Sequence, residues 1–202
     1  MAKGHLGGES LVSRLQVFVE GNPSLKLPLV QFIEKAVKVP RGIFALQLGK
    51  NKDETIKDFL RTLAENPGAK VLLLVDSDGP DDGNLIERLK RTTTWKLHAP
   101  KGIPAERIHW MVQVMESWFL ADSAALKRYY KKDFKASAMP KRSNVEQIPK
   151  TDVFKVLKRV VKTGYEKAAH APKILERLSP ETVQARAPSC KRFVKALQTL
   201  IV

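Results

Sequence analysis

Disulfides, zinc ligands and long hydrophobic runs are all missing from this sequence. Its single cysteine, Cys190, has no second thiol with which to form a disulfide or share a zinc ion, so we expect a small, partly buried side chain there. The four histidines show no spacing typical of metal ligands, and structural or solvated roles are expected for them. No stretch approaches the roughly 18 apolar residues that a membrane-spanning helix needs. No apolar signal region follows a basic start either, and we therefore expect a cytoplasmic protein.

The charge of the chain is strongly uneven. The 202 residues are 43% hydrophobic, which suits one compact domain with a smaller appendage, and the net charge is +15. Residues 1–122 carry 17 basic and 15 acidic side chains, whereas residues 123–202 carry 19 and 6. A surface so rich in Lys and Arg binds polyphosphates by releasing their counterions, so nucleic acid is the expected partner. A merely solvated basic surface, or docking onto an acidic protein, is the alternative.

Apolar strand patterns alternate with helical patterns through the first two thirds of the chain. Strands are predicted over residues 14–19, 43–48, 71–75 and 108–115. Helical spacing of apolar residues predicts helices after each of the first three, and a fourth helix from Ser117 to about Tyr130. This order predicts an α/β fold with a mostly parallel sheet and helices on both faces.

The last third of the sequence reads as basic helices. We expect an α/β domain over residues 1–130 and a basic helical extension over residues 131–202 packed on it. Thr151 or Asp152, Ser179 and Ser189 are predicted to cap helices. The basic side chains expected to grip nucleic acid are Lys155, Lys158, Arg159, Lys162, Lys167, Lys191 and Arg192.

Acidic residues follow three of the four predicted strands: Glu20, then Asp76 and Asp78, then Glu116. Ligands collect beyond the carboxyl ends of parallel strands, and carboxylates gathered there need a cation such as Mg²⁺ or Mn²⁺ to neutralise them. Glu20, followed by a glycine, fits either a general acid/base or a metal ligand. Each acid also fits an ordinary turn or helix cap. A covalent role for Asp76 in phosphotransfer is disfavoured, since no Ser or Thr follows at the expected spacing.

Five sequence motifs resemble a Toprim-like bacterial family, domain-of-unknown-function family 4276 (DUF4276). They are E-G at residues 20–21, V-D-S-D-G at 75–79, M-E-S-W-F-L-A-D at 115–122, Y-E-K-A-A-H-A-P-K-I-L at 165–175 and C-K-R-F-V-K-A-L at 190–197. The resemblance implies the Toprim fold of topoisomerases, primases and nucleases of the overcoming-lysogenisation-defect (OLD) type. It also implies that Glu20 is the acid/base and that Asp76 and Asp78 hold the metal. An ABC-type ATPase partner and a role in phage defence are implied as well.

One position departs from the family pattern. Many relatives read E-G-x-T-E, whereas Ser24 stands here in place of the second carboxylate. Taken together, the acids at the strand ends and the family motifs predict a Mg²⁺-dependent nuclease with Glu20, Asp76, Asp78 and Glu116 at its site. The alternative is a Toprim-like module that binds nucleic acid or an ATPase without turnover.

Overall fold

The computed structural model describes residues 14–201, which fold into four parallel strands and ten α-helices. The strands are β1 (Leu15–Glu20), β2 (Phe44–Gly49), β3 (Val71–Asp76) and β4 (Ile108–Met111). The helices are α1 (Lys26–Val37), α2 (Lys52–Glu65), α3 (Leu85–Lys90), α4 (Thr93–His98), α5 (Glu116–Ala121), α6 (Ser123–Tyr130), α7 (Lys150–Arg159), α8 (Lys167–Leu175), α9 (Pro180–Arg186) and α10 (Pro188–Ile201). The predicted α/β class with a parallel sheet is confirmed.

The strand order of the sheet is β2-β1-β3-β4, which places β1 and β3 at its centre. All five residues from Val71 to Val75 are fully buried, as the uninterrupted apolar run predicts for a strand covered on both faces. Successive side chains of a strand point to opposite faces. Leu72 and Leu74 accordingly pack in the cluster that contains α1, while Leu73 and Val75 pack in the cluster that contains α2.

The C-terminal helices pack on the α1 face of the sheet. Leu157 of α7, Ile174 of α8 and Phe193 of α10 belong to the same buried cluster as α1. Helix α10 also lies against β4, where the ring of Phe193 contacts His109 at 5.5 Å between centroids. The division of the chain at residue 130 stays a prediction. In the described part of the chain, no helix combines the length and the apolar character needed to cross a bilayer.

Two predicted elements around residue 115 are wrong. Strand β4 ends at Met111 instead of Met115, because the chain turns sharply at Gln113, whose φ is 63°. The apolar residues after β4 are buried in this turn, which is why they mimic a strand. The single helix predicted from Ser117 is two helices, α5 and α6. Their break is at Asp122, whose carboxylate accepts the N–H groups of Ala125 at 2.9 Å and Ser179 at 2.8 Å.

The predicted caps are right in one case of three. Ser179 caps α9 by accepting the N–H of Thr182. Thr151 and Asp152 cap nothing, since α7 begins earlier, at Lys150. Ser189 lies inside α10, buried, where its N–H donates to Glu146 Oε1 at 2.8 Å and its hydroxyl donates to the same oxygen.

Three further expectations concern single residues. Cys190 is wholly buried rather than partly so, and burial raises the pKa of its thiol. His109 is buried with Nε2 2.9 Å from the carbonyl oxygen of Glu106, and burial lowers its pKa to about 4. Nδ1 of His170 lies 3.1 Å from the Tyr130 hydroxyl. These two histidines have structural contacts, as expected, whereas His5 lies outside the described residues.

Gly49, the last residue of β2, fits against α2 only because it lacks a side chain. A Cβ at this position would lie 2.8 Å from both N and Cα of Thr55. We expect Gly49→Ala to destabilise the protein by about 1–3 kcal/mol, because backbone atoms must move to make room. Urea unfolding measures the effect. Gly68→Ala is the control, since its Cβ would meet only Asn66 Oδ1 at 3.5 Å; equal losses in the two variants would contradict the steric explanation.

Candidate functional site

Glu20, Asp76 and Glu116 converge at the carboxyl edge of the sheet. Glu20 ends β1, Asp76 ends the neighbouring β3, and Glu116 begins the helix that follows β4. Asp76 Oδ1 accepts the N–H of Met115 at 2.9 Å, which ties the end of β3 to the turn before α5. A cleft of about 220 Å³ opens beside them, lined by Glu20, Gly21, Asn22, Leu25, Lys50, Asp76, Met111, Met115 and Lys167.

Glu116 is completely buried, yet only one of its two carboxylate oxygens has a partner among the described residues. Its Oε1 lies 3.1 Å from the ammonium of Lys167, and the Tyr165 hydroxyl donates to it at 3.3 Å. Its Oε2 has no partner among the described residues. Burial, together with this nearby carboxylate, raises the pKa of Tyr165 and keeps its hydroxyl a proton donor. A buried oxygen without a partner is costly, which makes Glu116 receptive to a further positive group.

Asp76 and Glu20 are held where ionisation is difficult. Burial, helped by the neighbouring charges of Glu20 and Glu116 and opposed by Lys167, raises the pKa of Asp76 to about 7. Burial also raises the pKa of Glu20, although the Lys52 ammonium opposes the shift. Glu20 Oε2 is buried and, within the described part of the chain, unpartnered. The three carboxyl groups therefore repel one another when ionised.

Asp78 is in a different electrostatic state from Asp76. Its side chain is 47% exposed, and its carboxylate binds two ammonium groups, those of Lys52 and, at 2.6 Å, Lys150. Burial alone would raise its pKa, but the hydrogen bonds from Lys150 and Lys52 outweigh burial and lower it. The backbone at Asp78 is left-handed, with a φ of 57°. Asp78 thus lies at the predicted site with both oxygens already paired to lysines.

The donor set fits a divalent cation only in part. Glu20, Asp76 and Glu116 offer hard oxygen ligands, unpartnered atoms and mutual repulsion that a cation would relieve. Across residues 14–201, however, no three His, Cys, Asp or Glu side chains are arranged to hold a metal ion. The assignment of Asp76, Asp78 and Glu116 as ligands, and of Glu20 as the acid/base, stays a prediction.

Ser24 does not take the place of a carboxylate at this site. It is exposed in the short turn before α1, and its hydroxyl donates to the side chain of Asn22. Asn22 also accepts the N–H of Ser24 at 3.0 Å, and neither residue is the N-terminal cap of α1, which is Leu25.

The predicted nucleic-acid contacts fall into three groups. Lys155, Lys158, Arg159 and Lys162 are exposed on α7 and in the turn after it. Lys167 begins α8 and reaches Glu116 at the acidic cluster. On α10, Lys191 is exposed, and Arg192 pairs with Asp81 at 3.0 Å, in the loop after β3.

Sequence reasoning missed Lys52, Lys150 and Tyr165. Lys52 follows β2 at the same edge of the sheet as the acids, so a search of strand ends for basic residues would have found it. Tyr165 opens the Y-E-K motif. Nothing in the sequence pairs Lys150 with Asp78, which lies 72 positions away.

A four-stranded parallel sheet with acids at its carboxyl edge and helices on both faces defines a Toprim-like α/β protein within the described residues. The structure is similar to the C-terminal region of the Burkholderia pseudomallei OLD protein, with a TM-score of 0.54 and 10% identity over 95% of this chain and 100% of that chain. At this identity the likeness concerns the fold. Residues 28–198 match the family described as "Domain of unknown function (DUF4276)", and the chain belongs to that family, as its motifs indicated. No curated protein matches.

Proposed function

We propose that this protein is a nuclease that hydrolyses phosphodiester bonds with the help of Mg²⁺ or Mn²⁺. The observation that carries the proposal is the convergence of Glu20, Asp76 and Glu116, three mutually repelling carboxyl groups, beside an open cleft at the carboxyl edge of a Toprim-like sheet. Proteins rarely gather buried carboxylates without a cation or a shared proton to balance them. The resemblance to Toprim nucleases supports the choice of phosphodiesters as substrate.

Each residue at the site has a distinct part in this proposal. Asp76 and Glu116 would hold the cation, with Asp78 as a further ligand once its lysines move. The bound cation would polarise a phosphate oxygen and offset the charge of the transition state. Glu20, whose pKa is raised by burial, would take the proton from the attacking water. Lys167, at the same cleft, would orient Glu116.

Nucleic acid would run from the cleft across the basic C-terminal helices. Lys155, Lys158, Arg159, Lys162, Lys167, Lys191 and Arg192 are the proposed contacts. The family resemblance supports an ABC-type ATPase as a partner and phage defence as the setting, and these extend the proposal to a complex in which the ATPase controls access to the nuclease.

Metal-dependent cleavage tests the proposal directly. Purified protein is incubated with plasmid, single-stranded DNA and RNA in Mg²⁺ or Mn²⁺, with matched reactions in EDTA. We expect cutting of at least one substrate with the cation and none with EDTA. Intact substrates under every condition would contradict the nuclease assignment.

A module that binds nucleic acid without turnover is the second candidate. Both oxygens of Asp78 pair with lysines, and Ser24 stands where relatives have a carboxylate; both features favour a site that has lost its cation. Such a module would bind nucleic acid equally well with and without EDTA and would cut nothing.

Removing charge from the α7 surface should weaken nucleic-acid binding and its salt dependence. We expect the slope of log affinity against log salt to fall by about one for each lysine lost in Lys158→Gln and Lys162→Gln, because each phosphate contact releases about one counterion. Fluorescence anisotropy over a KCl series measures the slope. Lys96→Gln removes an exposed lysine from α4, which packs on the other face of the sheet, and should leave the slope unchanged. A slope that falls equally in this control would rule out a localised interface.

A further inference from the structure

Asp78 is paired on both of its oxygens by lysines that come from distant parts of the chain. Lys52 is the first residue of α2 and binds Oδ2, whereas Lys150 is the first residue of α7 and binds Oδ1 at 2.6 Å. We call this arrangement, Lys52 and Lys150 on Asp78, the lysine clamp. Two ammonium groups thus occupy the carboxylate that a Toprim site would use for its cation.

The clamp is built into the fold. Asp78 N–H donates to the carbonyl oxygen of Gln113 at 3.0 Å, which fixes the loop after β3. The side chain of the same Gln113 accepts the N–H of Lys150 at 3.1 Å, which fixes the start of α7. Gln113 is buried and has a left-handed backbone, so a shaped turn holds Lys150 and Asp78 in register. A chance pair of flexible surface side chains would have no such shared support.

The net charge of the carboxyl groups and lysines at this site changes when a cation binds. Four carboxyl groups, those of Glu20, Asp76, Asp78 and Glu116, lie with three lysines, Lys52, Lys150 and Lys167, which pair with Asp78 and Glu116. Without a cation, the lysines offset most of the negative charge. A dication that binds the carboxylates leaves one positive charge in excess, and a phosphate diester, with its single negative charge, is the anion that would restore the balance.

We propose that the lysine clamp holds Asp78 until a divalent cation takes that carboxylate, and that Lys52 and Lys150 then bind the phosphate of the substrate. The side chains of Lys52 and Lys150 are 27% and 44% exposed, so both can turn toward solvent on their flexible stems. Cation binding and nucleic-acid binding therefore reinforce each other through these two residues. This inference rests on the proposed metal-dependent nuclease.

Calorimetric titration with Mn²⁺ tests the first half of the inference. Lys52→Met and Lys150→Met should each bind Mn²⁺ about two- to fivefold more tightly than the unsubstituted protein, because the cation no longer competes with an ion pair. Lys50→Met is the matched control: it removes a charge from the same cleft without touching Asp78 and should change the affinity less. Lys52→Arg and Lys150→Arg keep the ion pair and should bind Mn²⁺ as the unsubstituted protein does. Circular dichroism verifies that each variant is folded.

Anisotropy with a labelled DNA duplex and its RNA counterpart tests the second half, with Ca²⁺ replacing Mn²⁺ to limit cleavage. The unsubstituted protein should bind more tightly with the cation than in EDTA, and the two methionine variants of the clamp should lose that gain while Lys50→Met keeps it. If Mn²⁺ binds but the clamp variants bind it no more tightly, the clamp is overturned and the nuclease proposal stands. If the unsubstituted protein binds no Mn²⁺, both proposals are overturned.

Discussion

Asp76→Asn is expected to make the metal-free protein more stable at about pH 8, by up to about 4 kcal/mol. The pKa of Asp76 rises from 3.8 to about 7 on folding because the carboxyl group is buried beside Glu20 and Glu116. Each pKa unit corresponds to about 1.4 kcal/mol. An asparagine side chain carries no charge, and its Oδ1 can still accept the N–H of Met115.

The sign of the effect follows from the two pKa values. Because the folded pKa is the higher one, protonated Asp76 contributes its full share to the free energy of unfolding below pH 3.8. This contribution is lost as the pH rises through about 7 and the buried carboxyl group ionises. The advantage of Asp76→Asn should therefore grow between these pH values and level off above them. Urea unfolding in EDTA at a series of pH values measures it.

Asp78→Asn is the matched control at the same strand end. Lys150 and Lys52 outweigh burial and lower the pKa of Asp78, so its charge stabilises the folded state and the substitution should destabilise the protein near neutral pH. The loss should stay below about 1 kcal/mol, because the ion pairs are partly exposed. Asparagine tolerates the left-handed backbone found here. If both variants shift stability in the same direction, the electrostatic account of the cluster is wrong.

Comparing the unsubstituted protein with Asp76→Asn in the presence of Mn²⁺ distinguishes a metal site from a cluster of carboxyl groups that only destabilises the fold. Mn²⁺ should raise the unfolding temperature of the unsubstituted protein, because a ligand that binds only the folded state stabilises it. Asp76→Asn should show little of this rise. Asp76, which lowers the stability of the metal-free protein, would then be a residue that the cation needs for binding.

The convergence of the acids could be predicted from sequence because it depends on topology alone. The alternation of strands and helices gives parallel strands, and parallel strands end at one edge. Glu20 and Asp76 end adjacent strands, and Glu116 follows the next one. This holds although β4 stops four residues earlier than predicted, since the turn at Gln113 still delivers Glu116 to the same edge.

The state of each carboxyl group could not be predicted, because it depends on partners brought in by tertiary packing. Lys150 reaches Asp78 only because α7 packs against α5, and Lys167 reaches Glu116 because α8 packs against α1 and α5. Tyr165, just before α8, reaches Glu116 as well. Asp76 and Asp78 are two positions apart and share one motif, yet their pKa values shift in opposite directions. Spacing in a sequence locates a site, whereas burial and partners decide its chemistry.

Glu20→Gln is expected to reduce metal-dependent cleavage by about 10²- to 10⁴-fold, the usual contribution of a positioned acid/base. Glutamine has nearly the same shape and cannot accept a proton from the attacking water. Because Glu20 Oε2 has no hydrogen-bond partner in the described part of the chain, the substitution breaks no hydrogen bond of that atom, and unfolding should not explain the loss of cleavage. Initial cleavage rates at saturating Mn²⁺ give the measurement.

Glu166→Gln provides the comparison for Glu20→Gln. Glu166 is exposed at the start of α8, next to Lys167, so this variant removes a carboxylate close to the site without altering the cleft. It should cut at the unsubstituted rate. Unimpaired cleavage by Glu20→Gln would exclude Glu20 as the acid/base. A parallel loss of Mn²⁺ affinity in that variant would instead make Glu20 a metal ligand, the other role that its position at the end of β1 allows.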